Sequence, residues 1–399
     1  MNLIYLDHNS TTPLLPEVAA AMSDCQATAW GNPASQHQAG RRARQVLEDA
    51  RDAIGSMLGA DMTSRQPDQV IFTSGGTEAN NLAILGLAHA RGTRPGEGII
   101  SAIEHPTVAG PAAHLEQLGW RIHRLRVSRD GVVDVDHLAD LLNADTRFVS
   151  VMLGNNETGA LQPVGELAEL CHRAGVPLHT DAVQVVGKLP VDFRSLGVSA
   201  LSAAAHKFHG PKGAGALVVR HGVALAPILF GGFQQAALRP GTESVALAVG
   251  MRRALEIALR DRESRAAKLL ALRNRLEAAL KTGCPRLVIN AAGAHRLPHT
   301  SNISFRGLDR RAMLMALDLA GVACSSGSAC ASGSSEPSPV LLAMGCDKET
   351  VAGSLRISLG ATTTVEEIDE AVRRILAVCG RLDRSAAATR PAAPVAAGG

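Results

Sequence analysis

Short apolar runs alternate with amphipathic stretches over most of the first 260 residues. Gln69–Ser74, Gly98–Ala102, Ile122–Val127, Phe148–Met152, Pro177–Thr180, Ala200–Ala203 and Ala214–Val219 predict buried strands. Thr77–Arg91, the stretch after Pro106 and Val164–Ala174 carry helical spacing between them. Nearly continuous apolar strands separated by helices predict an α/β fold, with a mainly parallel sheet flanked by helices on both faces. After Thr242 the rhythm changes. Val245–Lys281 reads as one long charge-laced helix interrupted only by Gly250. Strands at Leu287–Asn290, Thr300–Ser304 and Leu355–Ser358, with helices near 309–320 and 365–382, predict a smaller α+β domain.

These patterns divide the chain into an N-terminal arm (1–14) packing with the small domain, a large ligand-binding domain (15–260), and a small C-terminal domain (261–384). Residues 385–399, SAAATRPAAPVAAGG, predict a disordered tail. A length of 399 residues and a hydrophobic share of 46% supply a large core and exclude wholesale disorder. No apolar run is long enough to span a membrane, and the first residues lack a secretory pattern, so the expectation is a cytoplasmic enzyme. A net charge of +3 gives no reason to expect nucleic acid or a membrane surface as partner. Seven cysteines at irregular spacing, without a CxxC pair, predict free thiols and no metal site.

Three segments carry candidate chemistry. SGGTEANN (74–81), between a strand and a helix, offers glycines and helix-start N–H groups to an anion, with Thr77 as a further donor. HTDAVQ (179–184) puts Asp181 at a strand end, facing the crevice of an open sheet. SAAAHKFHGPKGAGAL (202–217) sets Lys207, one of only six lysines, after a run of small residues. Each segment alone has a plain structural reading: a turn, a helix cap, a solvated lysine. Together they match what pyridoxal 5'-phosphate needs, namely a phosphate site, a carboxylate for the pyridine nitrogen and an amine for the aldehyde.

At this point the chain resembles the cysteine desulfurases of the NifS/IscS kind, in the class V aminotransferase group of fold-type I pyridoxal-phosphate enzymes. The resemblance runs from YLDHNSTTP at residue 5 to about residue 382. It includes GNPASQHQAG, FTSGGTEANN, EHPTV, NNETG, HTDAVQVVGKLPVD, AHKFHGPKGAGAL, RPGTES, SSGSACAS and RISLGATTT, in that order. It implies removal of sulfur from L-cysteine to leave L-alanine and a persulfide on Cys330. It also implies a homodimer and a protein sulfur acceptor such as an iron–sulfur scaffold.

Residue by residue, the resemblance makes Lys207 the cofactor-attaching lysine, Asp181 the partner of the pyridine nitrogen and His105 the ring-stacking histidine. Gln184 would meet the phenolic oxygen, and Asn156 would lie between cofactor and substrate. Gly76, Thr77 and His206 would line the phosphate, Thr242 would reach the opposite subunit's phosphate, and Arg356 would clamp the substrate carboxylate. Cys330, in a stretch of Ser, Gly and Ala with little apolar anchoring, is expected on a mobile segment; Cys324, after AGVA, reads as a small buried residue. Selenocysteine lyase, a plain class V aminotransferase and an inactive scaffold are the rival readings. Two departures stand out. Ala204 and Ala205 occupy the place of a Ser–Gly pair before His206–Lys207, and Gly231-Gly232-Phe233-Gln234-Gln235 replaces a glycine run ending in Glu.

Overall fold

The computed structural model describes residues 2–327 and 336–389, with side chains to residue 384. Cys330 therefore lies outside the described residues. The chain opens with β1 (Ile4–Tyr5), α1 (Pro16–Thr28) and α2 (Gln38–Met57). The alternating part follows: β2 (Gln69–Thr73), α3 (Gly76–His89), β3 (Glu97–Ser101), α4 (Pro106–Gln117), β4 (Arg121–Leu125), α5 (Val135–Leu141) and β5 (Thr146–Ser150). It continues through α6 (Val164–Ala174), β6 (Leu178–Asp181), α7 (Phe193–Leu196), β7 (Ala200–Ala204) and β8 (Gly215–Val219). The last third holds α8 (Val245–Arg260), α9 (Arg262–Gly283), β9 (Leu287–Asn290), β10 (Thr300–Phe305), α10 (Arg310–Leu319) and β11 (Val322–Ala323). It ends with α11 (Pro339–Ala343), α12 (Lys348–Ala352), β12 (Ser354–Ser358) and α13 (Val365–Thr389).

The large sheet has the order β2-β8-β7-β6-β5-β3-β4. Its strands are parallel from β7 to β4, while β8 runs antiparallel to both β7 and β2. The reason is length. Ten residues join β7 to β8, too few for the crossover that a parallel pair needs. The edge at β2 is covered by side chains: Gln235 accepts from Phe72 N at 2.7 Å and donates to Phe72 O at 2.9 Å, and Arg51 donates to Val70 O at 2.6 Å. The departure at 235 thus gives an amide that can do both, which a carboxylate cannot.

The smaller sheet, β12-β10-β9, is antiparallel. Its apolar cluster draws on α9, α10 and α13 and includes Ile4 and Leu6 of the N-terminal segment. That segment is pinned by pairing of β1 with β11 and by a bridge from Asp7 to Ser358. Among the described residues no helix is long and apolar enough to cross a membrane.

Two expectations need correction. The stretch Val245–Lys281 is two helices, broken at Asp261, whose φ of −110° and ψ of 20° leave the helical region. Arg265 reaches back and donates to the carbonyls of Ala258 and Gly187, so the break leaves no orphan acceptor at Ala258. The second correction is at the C-terminus. α13 continues to Thr389, so residues 385–389 are helical rather than tail; SAAA is rich in the best helix former and carries no breaker.

Candidate active site

The ends of β6 and β7 and the start of α3 face one crevice, where an open α/β sheet takes its ligands. A cavity of about 270 Å³ lies there, walled by Gly76, Thr77, His105, Asp181, His206 and Lys207 among others. A second cavity of about 640 Å³ shares Ser10, His105, Asn156, Gln184 and Lys207 with the first, and adds Arg356 and Gly327. Nine of the eleven predicted site residues line one cavity or the other. Thr242 does not; it is exposed on the surface. Cys330 is the other exception, being outside the described residues.

The start of α3 depends on glycine. Gly75 has φ 155° and ψ −176°, a region that side chains exclude, and a Cβ on Gly215 would come within 2.6 Å of Gly75 Cα. The turn can therefore settle onto β8 and point the first N–H groups of α3 into the cavity. Ala204 faces the same place: its Cβ would sit 3.6 Å from a Cβ on Gly76. A methyl group thus lines the cavity beside the start of α3, at the position where the resemblance led us to expect a hydroxyl. Ser202 does not replace it, because its hydroxyl meets His179 Nε2 at 2.9 Å. His179 also meets Ser150 at 2.9 Å, tying β5, β6 and β7 together, and burial takes its pKa down to about 3.

Asp181 is buried with both oxygens occupied: Oδ1 accepts from Val183 N at 2.9 Å and Oδ2 from Asn80 Nδ2 at 2.7 Å. Lys207 follows β7 in a single 3-10 turn, and its Nζ donates to the carbonyls of Asn9 and Ser10. His105 caps α4, with Nδ1 accepting from Thr107 N at 3.2 Å. Burial lowers its pKa; Asp181 opposes that, and Lys207 and Arg356 add to it, so the ring is neutral near pH 7. His206 drops to about 4 through burial and then the nearby lysines. A neutral imidazole there still offers one N–H.

Arg356 projects from β12 and is 2% exposed. Nη2 donates to Asp7 Oδ1 and Ser10 Oγ, both at 2.8 Å; Nη1 donates to the Asn156 carbonyl at 3.1 Å and the Gly327 carbonyl at 3.3 Å. Nε is buried with no partner among the described residues. Both terminal nitrogens are thus engaged by acceptors of the protein, which fixes the plane of the guanidinium at the cavity wall. Gln184 donates to Asn9 O at 3.0 Å and accepts from Lys188 at 3.1 Å. Burial drives the Lys188 pKa well down, helped by Lys207 and Arg356.

Several site residues escape a reading by sequence blocks. Asn9, 1% exposed, donates from Nδ2 to the Asn156 carbonyl and to Thr300, accepts from His299 at Oδ1, and accepts from Lys207 and Gln184 at its carbonyl. It sits in the HNSTT block, where only its contacts reveal its importance. Glu104 is buried beside His105, and burial raises its pKa to about 8 against the bonds from Ser101 and Met152 N. It is therefore a neutral acid near pH 7. Cys324 is half-buried, and burial, with Asp7 nearby, pushes its thiol up to about 12. That thiol is not a thiolate at neutral pH.

The comparisons with known proteins agree over nearly the whole chain. The family described as "Aminotransferase class-V" matches residues 4–371. The chain is 42% identical over 366 residues to "Cysteine desulfurase IscS" of Dictyoglomus turgidum, covering 92% of each. It is 40% identical over 379 residues to "Cysteine desulfurase NifS" of Azotobacter vinelandii, covering 95% of this chain and 93% of that one. Among solved structures, a NifS-like protein from Rickettsia africae superposes with a TM-score of 0.85 at 31% identity, over 94% of this chain and 99% of the other. With fold, crevice and sequence in agreement, the chain belongs to the aminotransferase class-V family, among relatives that are cysteine desulfurases of the IscS and NifS kind.

Proposed function

We propose that the protein is a pyridoxal-phosphate-dependent cysteine desulfurase that moves the sulfur of L-cysteine onto Cys330 and releases L-alanine. The observation that carries this reading is convergence. Lys207, Asp181 and the start of α3 meet in one cavity, and Arg356 and Gly327 line the adjoining one. Cys330 follows Gly327 by three residues in the sequence.

The residues fit the cofactor. The glycine-dependent helix start and Thr77 suit a phosphate, the buried Asp181 carboxylate suits a protonated pyridine nitrogen, and Lys207 suits an aldehyde. Pyridoxal phosphate, when bound, supplies an electron sink for charge developing at the substrate α-carbon. Arg356 and Asn156 hold the substrate carboxylate. Lys207, as a free amine, takes the α-proton. The Cys330 thiolate then attacks the substrate Sγ: an S–S bond forms, the C–S bond breaks, and the carbon skeleton is reprotonated and leaves as L-alanine.

The same reading includes a homodimer, supported by Phe230 and Phe233, 86% and 93% exposed in the segment that leads to Thr242. It also includes a protein acceptor for the sulfur, such as an iron–sulfur scaffold. The test is Cys330→Ala protein that still binds the cofactor. Its steady alanine release from L-cysteine should fall to about 1% of wild type or less, and the persulfide mass on the peptide carrying residue 330 should vanish. Wild-type turnover in that variant overturns the assignment.

A further inference from the structure

We propose that Asn80 and Thr107 are positioning residues that join Asp181 to His105 and hold the His105 proton on Nε2. The inference deepens the function proposed above and rests on that reading for its meaning, though its geometry belongs to the protein alone.

The Asp181 carboxylate can only accept hydrogen bonds. Asn80 is 1% exposed, and the atom it turns to Asp181 Oδ2, at 2.7 Å, must therefore be its amide nitrogen. The same Nδ2 lies 2.8 Å from Thr107 Oγ1, so its two hydrogens are shared between the carboxylate and the hydroxyl. Thr107 Oγ1, used as an acceptor by Asn80, has its own hydrogen to give. His105 Nδ1 lies 2.8 Å away.

That nitrogen is also approached by the Thr107 backbone N–H at 3.2 Å, which can only donate. A proton on Nδ1 would set two donors against each other. Two donors on Nδ1 instead require a lone pair there, which leaves the proton of the neutral ring on Nε2. Asp181, Asn80, Thr107 and His105 thus form one chain in which donation runs outward from Asn80, to Asp181 on one side and through the Thr107 hydroxyl to His105 on the other. At one end, the chain holds the carboxylate expected to face the cofactor nitrogen. At the other, it fixes which nitrogen of a wall histidine can donate and which cannot. Neither Asn80 nor Thr107 needs to touch the reacting atoms to do this.

The test reads the tautomer directly, by ¹⁵N NMR of histidine-labelled protein with and without pyridoxal phosphate. The His105 signals are identified by their loss in His105→Gln. Wild type should show an unprotonated Nδ1 and a protonated Nε2. Thr107→Val, which keeps the shape and removes the hydroxyl, should give a mixture of tautomers, and Thr107→Ser should restore the single form. Asn80→Ala should speed cofactor dissociation about tenfold, the loss expected for a hydrogen bond to a charged group. Should Thr107→Val misfold, Thr107→Ala carries the same test. A wild-type tautomer in the hydroxyl-free variant overturns the proposal, as does an unchanged dissociation rate in Asn80→Ala. If wild type fails to attach the cofactor at all, the functional reading fails instead, while the tautomer measured without cofactor still decides the relay.

Discussion

The two halves of the site are built in different ways. In the cofactor half, Asp181, Asn80, Thr107, His105 and the start of α3 sit at the ends of strands and helices of one sheet, and the bonds among them span at most 101 residues. In the substrate half, Arg356 is held by Asp7, 349 residues away, Ser10, 346 away, and Asn156, 200 away. The first half follows from strand-end geometry once the sheet forms. The second exists only after the N-terminal segment has been drawn in, with Asn9 bonded to Thr300 of β10 and to Asn156 and Gln184 in the loops that follow β5 and β6. A site of this kind can keep its cofactor pocket while losing its hold on substrate, and the two failures can be told apart.

Lys207 is where the halves meet, since its amine is held by the carbonyls of Asn9 and Ser10. Lys207→Ala should remove the visible absorption band of attached cofactor and cut turnover by about 10³-fold or more. A retained band would break the comparison at its hinge. Arg356→Lys acts on one half only. It keeps the charge but loses the planar fork, and should raise the KM for L-cysteine by about 10- to 100-fold while the absorption spectrum stays unchanged. A spectral change as large as the KM change would show that the halves are not separable.

The smallest expected effect is in acid. Folded His179 titrates at about 3, and His8 and His206 at about 4, each lowered first by burial. Unfolded imidazoles take up protons near 6.5, so between about pH 6.5 and 4 the unfolded chain binds more protons. These groups therefore add nothing to the slope above pH 6.5, and the thermal midpoint should fall as the pH drops below it. His179→Gln, which removes the rung linking β5, β6 and β7, should flatten part of that fall. A slope identical to wild type would place the acid sensitivity elsewhere.

Much of this was legible in the chain because local physics sets it. The alternation of apolar runs with helical spacing is a property of neighbouring residues, and it predicted strands within a few residues of β2 to β8. The break at Asp261 was hidden, because the Arg265 contacts that stabilise it reach across to Gly187. Block-by-block likeness found the residues that face the cavities; it passed over Asn9, Asn80 and Thr107, whose side chains matter through what they bond.

By itself, the amino-acid order determined which segments become strands and helices, where a helix start free of side chains can accept an anion, and which lysine lies among small neighbours. Those outcomes depend on periodicity, on φ preferences and on side-chain size, all carried within a few positions. Tertiary structure alone decided that Arg356 is clamped by Asp7, that Asp181 is met by an amide, and that Glu104 and Lys188 are pushed away from their charged forms. Hydrogen-bond geometry and desolvation depend on distances in space, and those are set only when remote parts of the chain are packed together.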